Sequence, residues 1–68
     1  MKLSARNQLR GTVSEIRKGE AIANVALDVA GQRLVASITV EAVQDLGLTE
    51  GSEVTAVIKA SDVILAVQ

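Results

Sequence analysis

Ala21-Ile22-Ala23-Asn24-Val25-Ala26-Leu27-Asp28-Val29 decides the fold. Ala21, Ala23, Val25, Leu27 and Val29 hold one face of an extended chain. Ile22, Asn24, Ala26 and Asp28 hold the other. Side chains alternate across a strand, so this stretch reads as a β-strand with one face turned to a core. Ala30-Gly31-Gln32 follows as a hairpin turn, with Gly31 free to take a positive φ. Leu34, Ala36, Ile38 and Val40 then form the inner face of a third strand, and Arg33, Val35, Ser37 and Thr39 point away.

Upstream, Leu9, Gly11 and Val13 alternate with Arg10, Thr12 and Ser14 in a first strand. Ile16 is out of phase with them, which predicts a bulge or strong twist near Ser14-Glu15. Lys18-Gly19-Glu20 is the turn into the second strand.

Downstream, the period changes. Val40, Val43 and Leu46 are three apart, so 40–46 reads as a short helix. Thr39 is its N-cap, Glu41 suits its first turn, and Gly47 suits the position after its end. Leu48 to Ser52 is a loop. Val54, Ala56 and Ile58 alternate with Glu53, Thr55 and Val57 in a fourth strand. Lys59-Ala60-Ser61-Asp62 interrupts the pattern. Val63 to Val67 reads as a fifth strand, apolar on both faces and hence buried. The expected fold is all-β: a small five-stranded, OB-like Greek-key barrel with one short helix between strands three and four. No second domain, internal repeat or low-complexity segment is evident, so residues 1–68 read as one domain.

Composition narrows the function. The chain has 68 residues, 49% of them hydrophobic, and no Phe, Tyr or Trp. Its core must be built from Val, Ile, Leu and Ala, which are small units of burial. Domains of this size usually need a staple or a partner. Cysteine and histidine are absent, which removes disulfides and the usual nitrogen and sulfur ligands of zinc. Oligomerisation is the remaining route to a larger core. Val35 and Val57, on otherwise polar faces, point the same way.

Without His or Cys, no base or nucleophile stands out, and the serines and lysines show no distinctive spacing. The carboxylates fall on turns and outward positions, as solvated surface charges do. An enzyme is not expected. Many OB barrels bind single-stranded nucleic acid on aromatic platforms in a basic groove. With no aromatic residue and a net charge of −1, this chain has neither feature. Met1-Lys2-Leu3 runs straight into polar residues and no apolar run approaches a membrane span, so a soluble cytoplasmic protein is expected.

Two donor clusters remain. Ser4-Ala5-Arg6-Asn7-Gln8 leads into the first strand, and Lys59-Ala60-Ser61 follows the fourth. Each combines small residues, a hydroxyl and a cation at a strand end. Small residues let backbone N–H groups approach a ligand, while hydroxyls and cations add donors for an anion. Thr39, at a helix start, is a third candidate. Together they suggest that the clusters meet and hold a small oxyanion. The competing possibility is an OB-like oligomeric interaction module for a protein or nucleic-acid partner, with the same residues merely capping strands.

Ser4-Ala5-Arg6-Asn7-Gln8-Leu9-Arg10-Gly11 resembles the start of the molbindins, the small Mop-type molybdate-binding proteins of the Mop/TOBE group. Val54-Thr55-Ala56-Val57-Ile58-Lys59-Ala60-Ser61-Asp62-Val63 resembles their ending, and Ile38 to Val43 followed by Leu46-Gly47-Leu48 resembles their middle. The resemblance implies a five-stranded OB-like fold, a hexamer built as a trimer of dimers, and molybdate or tungstate bound between subunits with no other cofactor. It implies that Ser4, Ala5, Arg6 and Asn7 form the N-terminal part of one kind of site, and Lys59, Ala60 and Ser61 its C-terminal part. Thr39 matches a hydroxyl of a second kind of site near a symmetry axis. Where relatives often carry further hydroxyls this chain has Ala42 and Ala60, which leaves backbone N–H donation at both. Molybdenum would be held as the oxyanion and never as a cation.

Overall fold

The structure, a computed structural model, describes residues 2–68. Four strands form one antiparallel sheet: β1 (Asn7–Lys18), β2 (Ile22–Val29), β3 (Gln32–Thr39) and β4 (Glu53–Ile58). Helix α1 (Val40–Leu46) connects β3 to β4, and a single 3-10 turn covers Ala60–Asp62. The order across the sheet is β3-β2-β1-β4, so β3 and β4 are its two edges.

The alternation sets which face is buried. Val13, Ala23, Val25 and Leu27 pack together in the core with Val43 of α1. Leu34, Ile38, Val54 and Ala56 close around them. The expected bulge is present: the β1–β2 register slips between Val13 and Glu15. The slip leaves Val13 buried and Ile16 packed on the same core, which a regular ladder could not do. The hydroxyl of Ser14 donates to the carbonyl of Ala26 at 3.1 Å. The 48–52 loop is tied to the bulge through Val13 N–H to Ser52 O and Gly51 N–H to Val13 O, both 2.8 Å.

The β2–β3 hairpin turns on Ala30 (φ 51°) and Gly31 (φ 84°). Two consecutive positive φ values are the requirement of a type I′ turn, whose twist matches that of the strands. Helix α1 ends on Gly47 at φ 65°, where the Gly47 N–H donates to the Gln44 carbonyl and the Leu48 N–H to the Val43 carbonyl.

One expectation fails. Val63 to Val67 is not a strand. Beyond the 3-10 turn the chain runs clear of the sheet, with Ile64 92%, Leu65 88% and Val67 99% exposed. A strand exists only where its N–H and C=O groups find a ladder, and this segment pairs with neither sheet edge. The barrel is therefore left open. The sheet curls, and between its edge strands lies a groove of about 390 Å³. Leu34 and Ile38 line it from β3, Val54 and Ile58 from β4, and Leu46 and Leu48 from the helix and its exit. No helix is long and apolar enough to cross a membrane among the described residues.

Candidate functional site

The two donor clusters lie at one end of one ladder. The β1–β4 register places Asn7 opposite Ile58, and pairing runs from there to Thr12 opposite Glu53. Ser4-Ala5-Arg6 enters this ladder where Lys59-Ala60-Ser61 leaves it. Residues more than fifty positions apart in sequence thus become neighbours, because antiparallel pairing puts the start of β1 beside the end of β4.

Many donors at this end are uncommitted. The backbone N–H groups of Ala5, Arg6, Ala60 and Ser61 have no hydrogen-bond partner among the described residues. Nor do the Ser4 and Ser61 hydroxyls, the Arg6 guanidinium or the Lys59 ammonium. Ala5 is half-buried, and the rest of these residues are exposed. Two cations, Arg6 and Lys59, and one carboxylate, Asp62, fall within these two stretches and the turn between them and the arm. The turn itself rests on two backbone bonds, Asp62 N–H to Lys59 O at 2.9 Å and Val63 N–H to Ala60 O at 3.3 Å. Such an end is chemically suited to an anion: it offers N–H and O–H donors, positive charge and no soft ligand.

Gln8, the last member of the N-terminal donor cluster, shapes the lead-in. Its Nε2 donates to the carbonyl of Ala5 at 3.4 Å.

Thr39 lies elsewhere, at the end of β3 on the opposite edge strand, paired with Ile22. Its Oγ1 accepts from the N–H of Ala42 at 3.0 Å, the N-cap bond expected of it. This commits the Ala42 N–H, which is then no free donor for a ligand. The hydroxyl proton of Thr39 is not used by that bond.

Among the described residues no group of three His, Cys, Asp or Glu side chains could hold a metal ion. A recess elsewhere, lined by Arg10, Asp28 and Glu53 among others, mixes both signs of charge.

The model of the TOBE domain matches residues 3–65. The chain belongs to the TOBE-domain family, in its molbindin branch. It is 48% identical over 66 residues to molybdenum-pterin-binding protein 3 of Clostridium pasteurianum, covering 96% of this chain and 97% of that one. Its fold superposes with a TM-score of 0.93 on a molybdate-binding protein from Sporomusa ovata, 45% identical, covering 97% of this chain and 98% of that chain. A TM-score of 0.94 and 48% identity relate it to ModG, described as a cytoplasmic molybdate-binding protein and crystallised with molybdate bound. There the match covers all of this chain but 49% of the ModG chain. The likeness to these molbindins spans both donor clusters as well as the core.

Proposed function

We propose that this molbindin is a non-enzymatic binder of molybdate or tungstate, serving molybdenum storage or homeostasis in the cytoplasm. The observation that carries the proposal is the Asn7–Ile58 register, which gathers the unpartnered donors of Ser4 to Arg6 and Lys59 to Ser61 at one end of the sheet. Near-full-length likeness to proteins described as binding molybdate supports it. A tetrahedral dianion needs many hydrogen-bond donors and gains from positive charge; it needs no thiolate or imidazole.

The binding sites are completed between copies, in a hexamer built as a trimer of dimers. Two features support assembly. Both sheet edges are unpaired and flank an apolar groove. The same chain carries an apolar, uncharged segment, Val63 to Val67, that its own sheet leaves in water. Groove and segment occur once per chain, so each copy offers one of each, and a second copy is the partner that satisfies both. Laid along an edge strand, the arm supplies the fifth strand that closes the barrel. The hydroxyl of Thr39, with its free proton, lies on the other edge strand and serves a second class of site.

Titration calorimetry with molybdate, tungstate, sulfate and phosphate tests the function. Heat with molybdate and tungstate, well above that with sulfate or phosphate, is expected. No heat with molybdate from the intact assembly overturns the proposal. Tight binding of a single-stranded oligonucleotide at physiological salt would instead favour an interaction module.

A further inference from the structure

Ser4 to Arg6 supply the N-terminal donors of the candidate site, yet among the described residues no backbone hydrogen bond holds them. The β1–β4 ladder begins one place later, at Asn7 opposite Ile58. One side chain reaches back across that gap. Gln8, set in the ladder opposite Val57, donates from Nε2 to the Ala5 carbonyl at 3.4 Å. The amide has one useful orientation there, because its Oε1 in the same place would face another acceptor.

The Ala5 carbonyl and the Arg6 N–H belong to one planar trans peptide unit and point in opposite directions. A bond that fixes the carbonyl therefore fixes the N–H as well. Among the described residues that N–H has no partner, so it is given a direction and left free to donate. We propose that Gln8 is a positioning residue for oxyanion binding: by holding the Ala5 carbonyl it keeps the Arg6 N–H aligned for the ion. The inference rests on the proposed molybdate binding and adds a residue to its machinery. Gln8 acts through the peptide and does not itself touch the ion. Accepting at the carbonyl also polarises the peptide unit and strengthens its N–H as a donor. Without the brace the Ala5–Arg6 peptide turns about its flanking bonds, and the apparent Kd rises as the aligned fraction falls. One net hydrogen bond shifts such a fraction by roughly twofold to tenfold.

Gln8→Met keeps the length of the side chain and removes its donor. Gln8 is exposed, so the variant should fold, and its melting temperature without molybdate should move no more than for an ordinary surface substitution. Titration calorimetry of the intact assembly with sodium molybdate should give a Kd raised about twofold to tenfold. NMR of the two ligand-free proteins reads the brace itself. In the variant the Ala5 carbonyl carbon should shift as it loses its donor, and the order parameter of the Arg6 N–H should fall, while that of Val25 in β2 stays as it was. An unchanged Kd overturns the positioning role, whatever the melting temperature does. A weaker Kd with the Ala5 and Arg6 signals unmoved also overturns it, because Gln8 then acts on the ion directly; both results leave the binding proposal standing. Absence of any heat with molybdate from the parent protein overturns both.

Discussion

Gly11 of β1 lies against Val29 of β2 so closely that a Cβ on Gly11 would stand 2.8 Å from Val29 Cγ2 and 2.8 Å from the carbonyl oxygen of Asp28. The first neighbour can rotate away, but the second is backbone. Gly11→Ala should therefore destabilise the fold by about 1–3 kcal/mol, as overpacking does. Urea denaturation of the assembly checks this, and a loss smaller than about 0.5 kcal/mol would mean that the two strands can part without cost.

At the hairpin the same logic runs the other way. Ala30 is held at φ 51°, where a Cβ is strained, and Gly31 follows it. Ala30→Asn creates Asn-Gly, the pair a type I′ turn prefers. Stability should rise by about 0.5–1 kcal/mol, read as a higher denaturation midpoint with an unchanged slope.

Thr39→Ala removes the acceptor of the Ala42 N–H. It should cost about 1 kcal/mol, and Thr39→Ser should restore most of it. Calorimetry on the two variants then reports on the second class of site: fewer molybdate ions per assembly in Thr39→Ala, with the number recovered in Thr39→Ser. An unchanged number would confine Thr39 to capping.

Lys59 follows Ile58 at the end of β4 and is exposed, so Lys59→Ala should fold normally. Losing a hydrogen bond to a charged ligand costs roughly 1.5–3 kcal/mol, a loss of about tenfold to a hundredfold in molybdate affinity. Equal affinity in the variant would take Lys59 out of the site.

Ligand and assembly should be linked. If sites are completed between copies, molybdate binds only the assembled form. At about 100 times Kd each site adds roughly 2.7 kcal/mol. Melting temperature and resistance to dilution should both rise with molybdate, and not with chloride at equal ionic strength. Tight binding with an unmoved subunit dissociation constant would place each site inside one chain.

The interior was legible from alternation alone. Val25 and Leu27 had to share a face, Ile16 had to be out of step with Val13, and a period of three from Val40 to Leu46 had to be helical. Each of these signals is local, and each element forms within this chain. The stretch from Val63 to Val67 carried an equally strong signal and formed no strand. Its double-sided apolar pattern describes an environment with protein on both faces, and a pattern cannot say whose protein that is. The site divides likewise. Donor-rich residue types were visible at Ser4 and Ser61, and antiparallel pairing explains why they converge. The commitment of the Ala42 N–H follows from the capping position of Thr39, whereas the brace from Gln8 to Ala5 depends on a side-chain direction that no spacing reveals.

The exposed arm has one more consequence, for how the molecule is made. A newly synthesised copy that has formed every contact available to it still displays Ile64, Leu65 and Val67 to water. With no charge or proline within 63–67 and high β propensity, such a strip is what aggregation selects. In the proposed assembly the last step of maturation is an encounter, and its rate grows with concentration while intramolecular steps do not. Refolding yield should pass through an optimum: too dilute, and copies wait unpaired; too concentrated, and arms find one another before they find grooves.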